Sequence, residues 1–225
     1  MRIRLITMPR TKATYLMKAL ISANNPLQLD INSDLYNEPY NNDRPDPVAA
    51  TEWMKSDTNA VIKHHIRHLV ANDVYDSKQH FQQECELDWL TVVLLRRDLF
   101  AAATSYARSR ISNEWHSYTN ESVYIPPEFF NNCLIALWGS VTHIKNNVNN
   151  LTYDKIIYSD DFTGTPSTDI KEIIPNYSKE IYTDSKPRPE NTITNIDELR
   201  EYSQQITLPD NGVIVDKDLI ITFFR

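Results

Sequence analysis

The chain has 225 residues, 41% of them hydrophobic and 10% aromatic, which is enough apolar mass for one folded domain with its own core and too much for a disordered chain. Acidic residues number 30 against 23 basic ones, and the resulting net charge of −7 has the wrong sign for a protein that grips nucleic acid without regard to sequence. The two cysteines, Cys85 and Cys133, form neither a disulfide framework nor a zinc pattern. No apolar run reaches the ~18 residues of a membrane span, and the run after Met1-Arg2-Ile3-Arg4 is short for a secretory signal, so a cytoplasmic protein with reduced thiols is expected.

Residues 2–7 predict a first buried strand. It ends in Thr7-Met8-Pro9-Arg10-Thr11-Lys12, and a helix over 13–23 follows at once, with Leu16, Met17, Leu20 and Ile21 at helical spacing. A strand, a cationic turn and a helix start make the layout of an anion site, because the first turn of a helix offers unpaired N–H groups and the positive end of a dipole. Arg10, Lys12, Thr11 and Thr14 add two cations and two hydroxyls there. The turn is not a Walker loop, which requires G-x-x-x-x-G-K-[ST]; the three glycines of this chain are at 139, 164 and 212.

Residues 24–58, rich in Asn, Asp and Pro, read as an irregular excursion with a short helix around Val48–Lys55. Residues 59–63 predict a second strand running into His64-His65-Ile66-Arg67-His68, and a helix is expected over 72–85. Trp89–Arg96 carries a near-continuous apolar run, the pattern of a strand buried on both faces of a parallel sheet. Asp98 is positioned to cap a helix over Leu99–Ile111. Further helices are expected over 127–148, 167–173 and 195–204, a strand over Lys155–Tyr158, a proline-stiffened loop at Lys186-Pro187-Arg188 and a hairpin over Gly212–Phe224. Strands alternating with helices argue an α/β fold around a mostly parallel sheet, in a single domain over 1–225. Ligands of such sheets bind at the carboxyl ends of the strands, where Arg10, His65 and Arg97 are all expected. The local positive field that a phosphorylated ligand needs on an acidic protein has sources at Arg10/Lys12, Lys63–Arg67, Arg96/Arg97, Arg108/Arg110 and Lys186/Arg188.

A second motif follows the apolar strand: Arg97 at the strand end and Ser105 about two turns into the next helix, a guanidinium fork and a hydroxyl that suit a phosphate. Taken singly, the first motif also reads as an ordinary turn and the second as a strand-end salt bridge with a surface serine. Together the two resemble the sulfotransferases that use 3′-phosphoadenosine 5′-phosphosulfate (PAPS). That family's first loop has the form T-x-P-[KR]-[ST]-G-[ST]-T-[WY]-L, which Thr7–Leu16 follows without a gap, with Lys12 in place of Gly and Ala13 in place of a hydroxyl residue. Its second motif, R-[DN]-P-x-D-x-x-x-S-x-[YW], is matched by Arg97, Asp98, Ser105 and Tyr106, with Leu99 replacing Pro and Ala101 replacing Asp. Tyr158-Ser159-Asp160-Asp161-Phe162 looks like the family's Y-E-D-[LF] strand end.

The resemblance implies a three-layer, P-loop-like sulfotransferase fold, a mostly parallel central sheet flanked by helices. It implies a transfer of the sulfuryl group from PAPS to a hydroxyl or amine, with the adenosine 3′,5′-bisphosphate PAP as product and no metal. Arg10, Thr11, Lys12, Ala13 and Thr14 would hold the phosphosulfate end, Arg10 stabilising charge on the leaving oxygen, and Tyr15 would pack near adenine. Arg97 and Ser105 would hold the 3′-phosphate, with Lys186 and Arg188 as a late cationic loop over it. In Lys63-His64-His65-Ile66, which fits the K-T-H-[LF] strand end of cytosolic members, His65 would take the acceptor's proton; carboxylates serve as the base in other members, and Glu38 and Glu52 are the alternatives here. Trp53, Trp115, Tyr118 and Tyr124 are candidates for an acceptor pocket or for core. The acceptor class stays open among small molecules, carbohydrates and peptides. Two other functions remain: a non-catalytic PAP- or PAPS-binding module, and a nucleotide-dependent kinase on a related fold.

Overall fold

A computed structural model describes residues 2–23, 52, 55, 60–66, 83, 86–115, 121–148, 154–159, 168–173 and 192–208. The expected short helix around Val48–Lys55, other than Glu52 and Lys55, the helix over 72–85, other than Gln83, the loop carrying Lys186 and Arg188, and the hairpin over Gly212–Phe224 lie outside the described residues. The chain packs as two compact units, each assembled from two stretches: Met1–Leu95 with His143–Tyr182, and Arg96–Thr142 with Thr183–Arg225.

The first unit is a four-stranded, all-parallel sheet. Its strands are β1 (Arg2–Thr7), β2 (Ala60–His65), β3 (Leu90–Leu95) and β4 (Lys155–Tyr158), in the spatial order β2-β1-β3-β4. The α/β expectation holds at this level. Helix α1 (Ala13–Ala23) covers one face, and α4 (Thr168–Ile173) packs beside β4; the helices between them in the chain are α2 (Leu99–Ser112) and α3 (Pro127–Val148), and α5 (Ile196–Ser203) follows. On the α1 face, Ile3 and Leu5 of β1 join Val61, Val92, Leu94 and Ile157 from the other strands and Leu16, Met17, Leu20 and Ile173 from the helices in one buried cluster. The opposite face is buried as well, through Ile6, Ile62 and Val93, so the strands need no polar alternation and read as continuous apolar runs. Arg4 is buried on that second face, where its Nη1 donates to Oγ1 of its cross-strand partner Thr91 at 3.2 Å.

β2 extends two residues beyond the expected 59–63 and includes His64 and His65. Pairing with β1 extends it: Ile6 lies opposite His64 and Thr7 opposite His65, and a ladder partner outweighs the weak strand preference of polar side chains.

The second unit is organised around α2. Asp98 caps it as expected, its Oδ1 accepting from Ala101 N at 2.8 Å, and Asn113 ends it in the left-handed conformation at φ 57°. Residues Ala101 to Ser109 are all buried. Alanines at 101, 102, 103 and 107 let neighbours approach closely, and the buried hydroxyls bond back to the helix itself: Thr104 Oγ1 donates to Phe100 O at 3.0 Å and Ser109 Oγ to Ser105 O at 2.9 Å. Arg108, expected to share a local positive field with Arg110, is instead fully buried and committed to protein partners. Its Nε donates to Thr192 Oγ1 at 2.8 Å, its Nη1 to Glu114 Oε2 at 2.8 Å and its Nη2 to Glu121 O at 3.4 Å. The field from this helix therefore comes from Arg110 alone.

Segments 121–125 and 192–195 are joined by a short parallel bridge, Val123 N donating to Thr192 O at 2.7 Å and Thr194 N to Val123 O at 3.0 Å. Asn195 prolongs it with its side chain: Oδ1 accepts from Ile125 N at 3.1 Å and Nδ2 donates to Ile125 O at 2.9 Å. No described helix is long and apolar enough to cross a membrane. Because Ile125 is wholly buried, Asn195→Ala strands its N–H and C=O together; urea melts should report a loss of about 1–3 kcal/mol.

Candidate functional site

β1 pairs with β2 on one side and with β3 on the other, so the chain reverses its direction of travel across the sheet at β1. That makes the carboxyl ends of β1 and β3, where Thr7 lies opposite Leu94, the topological switch point at which such sheets bind ligands. The turn Met8–Lys12 leaves from this point. Two of its residues, Arg10 at φ 64° and Lys12 at φ 57°, have left-handed backbone, and the only other non-glycine so placed among the described residues is Asn113. Left-handed residues alternating with ordinary ones turn successive N–H groups to one side of the chain, which builds a concavity for an anion. Lys12 stands where the resembled motif has Gly, and its backbone has the conformation for which glycine is ordinarily used. The departure from the motif thus changes a side chain and leaves the glycine-type backbone in place. Holding a side-chain-bearing residue there costs about 1–2 kcal/mol.

Helix α1 starts on this turn. The Lys12 carbonyl accepts from Tyr15 N at 3.0 Å and Leu16 N at 3.1 Å, and the first N–H groups of the helix have no carbonyl of their own helix to bond. Beneath the turn, the Thr7 and Thr11 hydroxyls contact each other and the Met8 carbonyl, with Thr11 Oγ1 3.0 Å from Met8 O. Thr11 is only 1% exposed, so its side chain braces the turn from inside. Ala13 belongs to the core cluster, and any contribution from it to a ligand is through its backbone. Arg10, Lys12, Thr14 and Tyr15 are half-buried.

Strand register brings two more groups to the same edge. Lys63 is 4% exposed and donates from Nζ to Thr14 Oγ1 at 3.3 Å, which anchors a buried cation on the first turn of α1. His65, half-buried, is the last residue of β2 and pairs in register with Thr7. Alternation puts Lys63 and His65 on the α1 face with Thr7, whereas His64, 1% exposed and paired with Ile6, is on the other. The adjacent histidines are therefore not interchangeable, and His65 is the one placed at the loop. In the sequence Lys63 stands in a basic cluster and at the head of the K-T-H-type strand end, and neither gave it a role of its own. Its two-residue spacing from His65 on a strand was the signal that singles it out.

In the second unit, Arg97 is half-buried directly ahead of the cap residue Asp98, with its carbonyl accepting from Leu99 N at 2.9 Å. Ser105 lies on α2 and is 5% exposed, which removes the reading of a surface serine. Lys186, Arg188, Glu38, Arg67 and His68 lie outside the described residues, as do Trp53 and Tyr118. Glu52 is exposed and paired with Lys55. Trp115 and Tyr124, candidates for core or pocket, are exposed at 42% and 55%.

Comparison with protein-family models and with curated proteins finds no match for the chain. Restoring glycine should relieve the turn. Lys12→Gly is expected to raise stability by about 1 kcal/mol in urea melts, the left-handed strain removed outweighing the extra freedom of the unfolded chain.

Proposed function

We propose that this chain is a PAPS-dependent sulfotransferase. The observation that carries the reading is the turn at Arg10–Lys12: left-handed backbone at the motif's glycine position, at the switch point of a parallel sheet, with Lys63 fixed to Thr14 one turn away. These are parts a phosphosulfate needs, namely backbone of the kind that turns N–H groups one way, cations and a helix start. Arg97 and Ser105 take the 3′-phosphate by the motif resemblance, and that phosphate distinguishes the donor from ATP.

In the reaction the acceptor oxygen attacks sulfur in line with the bridging oxygen of the phosphosulfate. A sulfur–oxygen bond forms to the acceptor, the bond to the bridging oxygen breaks, and PAP leaves with that electron pair. His65 accepts the acceptor's proton at a ring nitrogen. Arg10 and Lys63, both cations, stabilise charge on the leaving oxygen without giving up a proton. The acceptor is a hydroxyl, or an amine whose nitrogen attacks in place of the oxygen and forms the bond to sulfur, and its pocket falls to the variable loops. A PAP-binding module without turnover shares the same turn, and His65 separates the two readings.

Thermal shift against PAP, 5′-AMP and ATP tests donor recognition: PAP is expected to stabilise the chain most, and no response or a preference for ATP sinks the proposal. Arg97→Ala should weaken PAP by roughly tenfold or more while leaving 5′-AMP unchanged, the loss of a charge-assisted hydrogen bond to one phosphate. With an acceptor in hand, His65→Ala should lower sulfate transfer by about 10²–10⁴ with PAP affinity little changed; wild-type turnover in that variant refutes the base assignment.

A further inference from the structure

Arg110 lies on the exposed side of α2, near its end. It is exposed, and its guanidinium carbon lies over two aromatic rings, 5.8 Å from the centroid of Tyr106 and 5.7 Å from that of Phe129. Among the described residues it makes no ion pair, in a chain where acidic residues outnumber basic ones 30 to 23. Arg108, two residues earlier, is by contrast fully buried against Glu114. The rings engage the face of the guanidinium; its N–H donors lie at the edge, in a planar fork that matches a carboxylate. Stacking also restricts a side chain that is otherwise flexible, so less freedom is lost when an anion binds.

One of these rings, Tyr106, is shared with an exposed indole. Trp115 rests on the same Tyr106, with ring centroids 6.0 Å apart and planes at 58°, and is 42% exposed. Its indole is oriented by Nε1 donating to Asn113 Oδ1 at 3.3 Å. An exposed indole and a held cation that share one tyrosine ring fit a ring that bears one negative charge. A single guanidinium balances the charge of a carboxylate but only half that of a phosphate dianion, and the net charge of −7 opposes a long polyanion.

We propose that Arg110 and Trp115 form a binding site for a carboxylate carried on a ring, the shared chemistry of a uronic sugar and an aromatic acid. The site stands independently of sulfate transfer. The test is an NMR titration of the full chain, following the indole N–H of Trp115 assigned with Trp115→Phe, with glucuronate, glucose, benzoate and benzyl alcohol as probes. At least one acid should bind about tenfold more tightly than its neutral counterpart, glucuronate alone identifying a sugar ligand and benzoate alone an aromatic one. Arg110→Gln should erase that difference. Arg110→Lys, which keeps the charge on a compact ammonium, should retain part of it. Equal binding of acids and neutrals, no binding of either acid, or a preference that survives Arg110→Gln in a folded variant overturns the proposal.

Discussion

The first unit depends on the position of one strand. β1 is hydrogen-bonded on both edges, by β2 and by β3, and those two ladders fix what its last residue can meet. A parallel ladder admits no half-measures, since a slip of one residue sends each side chain to the other face. Ile3 and Leu5 anchor the register in the core under α1, and the same alternation then delivers Thr7, Lys63 and His65 to one face at the carboxyl edge. The packing of a few aliphatic side chains thus decides which of two adjacent histidines faces the helix start and which is buried against the opposite face.

The turn beyond β1 combines a conformation with a charge that glycine cannot supply. Left-handed backbone at Lys12 is strained, and the strain is stored between the end of β1 and the start of α1. The bracing by Thr7, Thr11 and the Met8 carbonyl, together with the helix that starts on the Lys12 carbonyl, holds this geometry. Neighbouring Arg10 is left-handed too, so the two cations of the turn are both presented from unusual backbone.

Much of this was legible in the sequence. The apolar runs of β1, β3 and β4, the capping aspartate of α2 and the span of α3 follow from local pattern, because one face or both of each element must be buried. The end of β2 was not legible, since its last residues are polar and only the β1 ladder makes them strand. Nor was the contrast between Arg108 and Arg110. Both are arginines on one helix, two residues apart, and what separates them is contact with Glu121, 13 residues on, and with Thr192, 84 residues on. The left-handed backbone at Arg10 carries no composition signal at all, whereas the same conformation at Lys12 was hinted at by the glycine of the resembled motif. Site residues beyond Thr183 other than 192–208 stay a matter of motif alone.

The interleaving of the two units has a consequence for synthesis. The first unit takes its opening strands from the first 95 residues but receives β4 only after the chain has passed through 96–142. The second begins with α2, yet Thr192, the hydrogen-bond partner of buried Arg108, comes some eighty residues later. A ribosome therefore releases neither unit whole before most of the chain is made. Until then β3 waits with one edge unpaired, and the guanidinium of Arg108 lacks one of its partners. Closing both units takes contacts between residues distant in sequence, which slows folding and lengthens the exposure of apolar edges to other chains. The order of segments along the polypeptide makes each unit one that closes late.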